Sequence, residues 1–420
     1  MNTGQITETD SPSIPPSFTY RQARHSPPGR ALEKKLSRHI KGGIELPEEV
    51  VDELGRDGAR GDALSDAFID AAFAGGFIRD ARSLVDQALE HGIGSVPGAP
   101  VELTALFAHI DTEPEWLDWD LVERGARVFR RYGTDAFLYF GITTFDGYRR
   151  ETIAKPLVLT GAYTGNSAFG RFLETCRFWT DVSEPGALRQ RGDGRRTAVT
   201  VRVLHSMIRN RITPHEEWDS ARLGVPLNQR DQFSIITLSF TLTQHMKALG
   251  YLIDDEDVLA HMHFWRYVGH LMGIEPSYYP RTVEDWWRAV YLVLLSQAPD
   301  DGPDSRRLGQ GFVKAFGPAQ EDTGDVRRRK ETEYRTALGW TRFFVNQEVF
   351  HAVRLPSAGL WRWSPLKRLL PNLVEQSARK YIVGVDELLD RRRRHRRALW
   401  LDENTQGRPA EFAPVERLTR

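Results

Sequence analysis

The pattern that most constrains this chain is the recurrence of its apolar residues at spacings of three and four, as in Leu64, Phe68, Ile69, Ala72 and Phe73. That is the period of a helix burying one face. Sustained strand alternation is hard to find. Gly and Pro punctuation falls at Gly92 to Pro100, Ser183 to Gly194, Ile212 to Gln229, Gly273 to Pro280 and Ala298 to Gly317. The segments between are long enough for helices and show no repeat of solenoid period, so the spacing predicts an all-α protein.

Residues 1–30 carry Pro12, Pro15, Pro16, Pro27 and Pro28 among few apolar neighbours and are expected to form a disordered arm. One helical body is expected over 31–390, with its most polar interior stretch, 300–329, as a mobile surface insertion. The chain end, 391–420, reads as a basic helix end, with Arg391 to Arg394, Arg396 and Arg397, followed by a polar tail from about Asp402. Contact of that arginine run with anionic lipid is the alternative.

Composition excludes several functions. One cysteine, Cys176, in 420 residues permits neither a disulfide scaffold nor a zinc site of several thiolates. The 57 basic side chains are balanced by 57 acidic ones, which leaves no excess for gripping phosphate backbones, so no nucleic-acid partner is expected. No run approaches the roughly 20 apolar residues of a membrane span, and the first thirty lack the apolar core of a signal peptide. A cytoplasmic location is the resulting expectation.

The segment from Asn166, Asn-Ser-Ala-Phe-Gly-Arg-Phe-Leu-Glu-Thr-Cys, is the richest in chemistry. As a helix capped by Asn166 or Ser167, it sets Arg171 and Thr175 one turn apart on one face with Glu174 beside them. The three make either a polar patch in a pocket or a surface ion pair of Arg171 with Glu174. Thirty residues after Thr175, His205 lies on the apolar side of a helix with Val201, Leu204, Ile208 and Ile212. A neutral imidazole in an apolar wall suits a haem iron as proximal ligand, although such a histidine is more often a satisfied core residue.

Other metal patterns fail. Glu348 and His351 have di-iron spacing but no second copy, His215-Glu216-Glu217 lacks the second zinc-binding histidine, and His261 and His263 point to different helix faces. Cys176 reads as a buried small hydrophobe. Gly55, Gly58 and Gly61 follow no strand, and Gly-x-Ser-x-Gly is missing, so neither a phosphate loop nor a hydrolase elbow is expected. Asp254 to Asp257 reads as the acidic first turn of a helix.

Several ordered blocks resemble the latex-clearing-protein or rubber-oxygenase family, which includes the membrane-bound fungal oxygenase of mycophenolate biosynthesis. They are Gly61-Asp62-Ala63-Leu64-Ser65-Asp66-Ala67; Trp116-Leu117-Asp118-Trp119 with Gly125 and Arg131-Tyr132-Gly133; Arg171-x-x-Glu174-Thr175 followed by His205; Gln229-x-Asp231 with Phe240; and Trp265-Arg266-Tyr267-Val268-Gly269 with Leu271-Met272-Gly273-Ile274. The resemblance runs from about Gly61 to Gly384. It implies a globin-like helical core holding one haem b (iron), with His205 as proximal ligand and Arg171 and Thr175 on the distal side, where dioxygen and an alkene meet. Members of this type oxygenate or cleave isoprenoid double bonds.

One position departs from the rubber-cleaving pattern. Those enzymes typically place a lysine before the distal threonine, where this chain has Glu174, and Lys155 stands near the position of their catalytic glutamate. The resemblance thus implies an inverted pair, Lys155 facing Glu174 across the pocket; Lys155 as a surface residue before Pro156 to Leu159 is the alternative. Arg202 and Arg209, at i−3 and i+4 from His205, are the candidate partners of haem propionates.

The expected function is a haem-dependent oxygenase acting with dioxygen on an apolar intracellular small molecule, an alkene or isoprenoid. Arg171 would position oxygen, Thr175 would hydrogen-bond beside it, and Glu174 would act as acid or base. A haem-based oxygen binder or sensor without turnover is the second reading, and a helical interaction protein without cofactor the third.

Overall fold

The computed structural model describes residues 12–161, 167–300, 302–345 and 347–405, with the backbone alone for 140–146, 167 and 312–315. Its helices are α1 (Tyr20–Ala23), α2 (Pro27–Leu36), α3 (Glu48–Arg56), α4 (Ala63–Ala74), α5 (Ala81–His91), α6 (Val101–Asp111), α7 (Trp119–Arg131), α8 (Thr134–Tyr148), α9 (Glu151–Leu159), α10 (Ser167–Ser183), α11 (Asp193–Ile212), α12 (Ser220–Leu223), α13 (Gln229–Ala248), α14 (Asp255–Leu271), α15 (Val283–Leu295), α16 (Pro303–Phe316), α17 (Gly324–Phe344), α18 (Gln347–Ala352), α19 (Leu369–Tyr381) and α20 (Val385–Thr405). No strand occurs among the described residues, and the fold is all-α.

Local chemistry sets where these helices begin. Asp62, Asp118, Asn228, Asp254 and Thr282 each accept a backbone N–H of the first turn they precede, satisfying donors that the helix itself leaves open. The acidic run from Asp254 is such a start, with Asp257 also held by Arg131 and Arg124 from α7. The α7 and α14 helices pack most extensively, because Gly125 lets their backbones meet: a Cβ there would lie 2.1 Å from the Ala260 carbonyl oxygen. Helix α11 lies among α4, α5, α9, α10 and α14 and so occupies the middle of the body.

Three boundary expectations need correction. The disordered arm does not extend over residues 12–30: α1 and the start of α2 lie there, and Phe18 and Tyr20 are buried. Pro27 and Pro28 occupy the first two positions of α2, where no N–H is required, and Ser26 caps it by accepting the Gly29 N–H at 3.1 Å. Residues 1–11 lie outside the described residues.

The 300–329 stretch is not a surface insertion throughout: residues 317–329 do lie at the surface, but the part before them is packed into the body. Its helix α16 packs on α8, α9, α10 and α17, with Ser305 and Leu308 fully buried. The many charges mark the outer face of an amphipathic helix.

The arginine run 391–397 is no helix end but the middle of α20, which continues through Asp402 to Thr405. Arg397 is buried and donates to the Ser183 hydroxyl at 2.9 Å and to Glu184 at 3.0 Å, while Arg394 also holds Glu184. Arg130 of α7 reaches Asp390 at 2.7 Å. These charges fasten α20 to α7 and α10, so the body does not end at residue 390; residues 406–420 lie outside the described residues.

Candidate functional site

The site is built outward from His205 in the fourth turn of α11. Its Nδ1 lies 3.1 Å from Oε1 of Gln232, a buried residue on α13. Gln232 has its amide orientation fixed, because its Nε2 donates to the Leu227 carbonyl at 3.0 Å. The acceptor facing Nδ1 is therefore a carbonyl oxygen, which assigns the proton to Nδ1 and leaves Nε2 as a bare lone pair. No described residue hydrogen-bonds to that nitrogen. Burial, and next to it the Arg209 charge, pull the His205 pKa down to about 4, so the ring is neutral at pH 7.

Leu227 owes its place to a second contact. Arg209 donates to the same Leu227 carbonyl at 3.1 Å and to Asp66 of α4 at 2.9 Å. Leu227 has φ of +52°, a left-handed conformation costly for a branched side chain, and the two donors hold it there. A chain of contacts thus runs Arg209, Leu227, Gln232, His205. Sequence reasoning missed Gln232: it stands next to the Gln229-x-Asp231 block, but no local spacing announces which glutamine will meet a histidine 27 residues away.

Both arginines beside His205 hold carboxylates from the start of α4, and each keeps one terminal nitrogen, Nη1 of Arg202 and Nη2 of Arg209, without a hydrogen-bond partner among the described residues. Arg202 is buried and forms a bidentate pair with Asp62 at 2.6 and 2.8 Å. Arg209 is committed to Asp66, Pro226 and Leu227. Both side chains lead from α11 back into α4 because α4 packs directly on α11, and its carboxylates meet them first.

On α10, which also packs on α11, Arg171 donates to Glu174 at 2.8 Å, and the Thr175 hydroxyl donates to the Arg171 carbonyl at 2.9 Å. All three side chains are partly accessible. The expected cap residue Asn166 lies outside the described residues. The expected facing of Lys155 and Glu174 is corrected: Lys155 donates to the Glu217 carbonyl at 2.9 Å and lies 3.7 Å from Glu151. One helical turn separates Glu151 from Lys155 on α9, which is enough to direct the ammonium along its own helix.

The remaining candidates have structural partners. Cys176 is fully buried, and burial pushes its thiol pKa well up, away from a thiolate ligand. Glu348 pairs with Arg149 at 3.2 Å, and His351 contacts Gln347 on its own helix. His261 is buried near the Gly125 carbonyl, and His263 accepts the Asp118 N–H at 3.0 Å, so the two do point apart. One cluster escaped sequence reasoning: His109 of α6 and His270 of α14 lie 3.1 and 3.2 Å from one Glu275 oxygen. Those imidazoles hold the Glu275 carboxyl far below its usual range and tie α6 to the end of α14.

Comparison with known proteins agrees with this architecture. A family model described as "ER-bound oxygenase mpaB/B'/Rubber oxygenase, catalytic domain" matches residues 130–376, a range containing Lys155, Arg171, Glu174, Thr175 and His205. The rubber oxygenase of Streptomyces sp. (strain K30) is 26% identical over 203 residues, covering 47% of this chain and 47% of that protein. The match therefore spans about half the length of that relative. A solved structure, latex clearing protein LCP in the closed state, superposes with a TM-score of 0.62 at 18% identity, covering 83% of this chain and 92% of the other. At that identity the likeness concerns the fold.

Proposed function

The chain belongs to the family of the ER-bound oxygenase mpaB/B' and rubber oxygenase catalytic domains, and from that premise we propose that it is a haem-dependent oxygenase using His205 as its proximal ligand. The observation that carries the reading is the prepared imidazole: neutral, with Nδ1–H on the Gln232 carbonyl and Nε2 left as a lone pair. Metal-bound histidines are oriented in this way by an acceptor on the second nitrogen, so the residues present fit a haem iron. Bound there, haem would supply the activation of dioxygen.

The chain's own residues supply orientation and charge. Glu174 holds one terminal nitrogen of Arg171 and keeps the guanidinium pointing along α10. The other donors of Arg171 remain for an oxygen atom that gains negative charge, where a charge-assisted hydrogen bond is stronger than a neutral one. Thr175 gives its proton to the helix backbone, which leaves its oxygen as an acceptor rather than a donor. Lys155 is bound to Glu151 of α9 and to the Glu217 carbonyl, and we assign it to positioning that side of the body rather than to proton transfer.

The substrate we propose is an apolar alkene of isoprenoid type. Cleavage of its double bond balances with one dioxygen, each carbon of the broken bond leaving as a carbonyl. The test is incubation of the haem-loaded protein with isoprenoid alkenes under labelled dioxygen, followed by mass analysis of carbonyl products. Label in both new carbonyl oxygens supports the reading. Reversible oxygen binding without product from any alkene would establish the sensor instead. With an active substrate in hand, Arg171→Ala is expected to slow turnover by about a hundredfold to a thousandfold at unchanged haem content; a change under about threefold would remove Arg171 from the oxygen site.

A further inference from the structure

The segment from Leu360 to Val383 is built inside out. In α19 the polar residues Asn372 and Gln376 face the core, 5% and 1% exposed, whereas Leu370, Val374 and Tyr381 stand 71%, 70% and 76% exposed. At 100° per residue those three lie within about 40° of one another, so they form a single outward stripe. A surface helix of an isolated protein has the opposite polarity.

The reversal has a local cause. Asn372 donates to the Leu249 carbonyl at 2.9 Å, at the C-terminal end of α13, and Arg379 donates to the Leu252 carbonyl at 3.1 Å. The polar face of α19 is used to satisfy that backbone, and the apolar face is left outside.

The preceding 3-10 segment, Gly359–Arg368, extends the stripe. Three residues per turn align Leu360, Trp363 and Leu366 on one side, and all three are exposed. Ile382 and Val383 continue it beyond α19, again exposed. Contiguous exposed apolar surface of this kind marks an interaction site.

Charge identifies the partner. Between Leu360 and Val383 the chain has five basic residues, Arg362, Lys367, Arg368, Arg379 and Lys380, against one acidic residue, Glu375. Arg368 pairs with Asp135 and Arg379 lies 3.8 Å from Asp386, which leaves Arg362, Lys367 and Lys380 as the cations in excess. The carboxylates at this surface are already occupied: Glu375 is held by Arg393, and Asp135 by Arg368. Arg362 and Lys380 each lie over the adjacent exposed aromatic ring, Trp363 and Tyr381. Apolar side chains rimmed by cations, with Trp and Tyr among them, match the boundary between headgroups and acyl chains. A second copy fits poorly, because a two-fold contact would press the basic residues against their own images.

We propose that the Leu360–Val383 surface docks this protein on a bilayer carrying anionic headgroups, lying in the interface without crossing it. No helix among the described residues is long and apolar enough to span a membrane. The inference stands apart from the oxygenase reading, although an apolar substrate would partition into the same bilayer.

Flotation of the full chain with lipid vesicles tests it. The protein is expected to float with mixed phosphatidylcholine–phosphatidylglycerol vesicles and to bind pure phosphatidylcholine at least about tenfold more weakly. Replacing Leu370, Val374 and Tyr381 together by Ser should reduce partition to the mixed vesicles by about tenfold or more, with the circular dichroism spectrum unchanged. Lys367→Gln and Lys380→Gln should each reduce it by about fivefold. Absence of flotation with the mixed vesicles, equal binding to both vesicle types, or full binding by the triple variant would overturn the proposal. So would a sedimentation profile showing a dimer that the triple variant abolishes.

Discussion

Asp62→Ala is expected to lower the free energy of unfolding by about 3–5 kcal/mol, because it strands a guanidinium that cannot reach water. Asp62 and Arg202 are 5% and 2% exposed and share two hydrogen bonds of 2.6 and 2.8 Å. Asp62 has a second role, accepting the Ser65 N–H at 3.3 Å as the cap of α4, and losing such a cap costs about 1 kcal/mol by itself. The site should suffer with the fold, since Arg202 stands one turn before His205 on α11. Urea unfolding of the variant measures the loss. A double variant, Asp62→Ala with Arg202→Met, should recover most of it, because the stranded charge rather than the lost pair dominates the cost. A single variant within about 1 kcal/mol of wild type would show that water reaches Arg202.

Acidification is expected to produce the second large effect, through two histidines apart from the proposed ligand. His261 is fully buried among Phe129, Tyr132, Phe264 and Trp265, and His245 is largely enclosed with its Nδ1 on the Tyr139 hydroxyl. Burial pulls both pKa values from 6.5 to about 4. The unfolded chain therefore takes up protons that the folded protein refuses, and the stability present above pH 6.5 is lost as pH falls toward 4. Each histidine should remove about 2 kcal/mol between pH 7 and pH 5, a large part of the 5–15 kcal/mol typical of a folded protein. Asp135 and Asp181, raised by burial, act in the opposite sense as they take up protons. The difference between wild type and His261→Phe isolates the histidine contribution: urea midpoints of the variant should fall less between pH 7 and pH 5. Equal pH dependence in the two proteins would refute the assignment.

The fold class was legible because helix period survives in any helix that buries one face, and nearly every helix of this body does so. The central site was partly legible for the same reason, since Val201, Leu204 and Ile208 place His205 on a known side of its helix. Partnership was not legible. Arg202 and Arg209 stand where a cofactor's carboxylates could be met, yet Asp62 and Asp66 lie about 140 residues away in sequence and beside them in space. Gln232 was hidden for this reason too. Charge and proline misled where a tertiary partner or a cap reverses their usual meaning: the 391–397 arginines clamp α20 to Glu184, Ser183 and their neighbours, and Pro27 and Pro28 start a helix. Lys155 followed from the family pattern rather than from local chemistry, and Glu151 and the Glu217 carbonyl hold it instead.

The central claim is that the lone pair on His205 Nε2 binds haem iron. Its most direct measurement is the absorption spectrum of the protein purified from haem-supplemented cells, oxidised, reduced and with carbon monoxide, for wild type and His205→Ala. The wild type should show a Soret band of a histidine-ligated haem b, and the variant should lose it and regain it on addition of imidazole. A wild type without a Soret band, or a His205→Ala spectrum unchanged from wild type, would contradict the account.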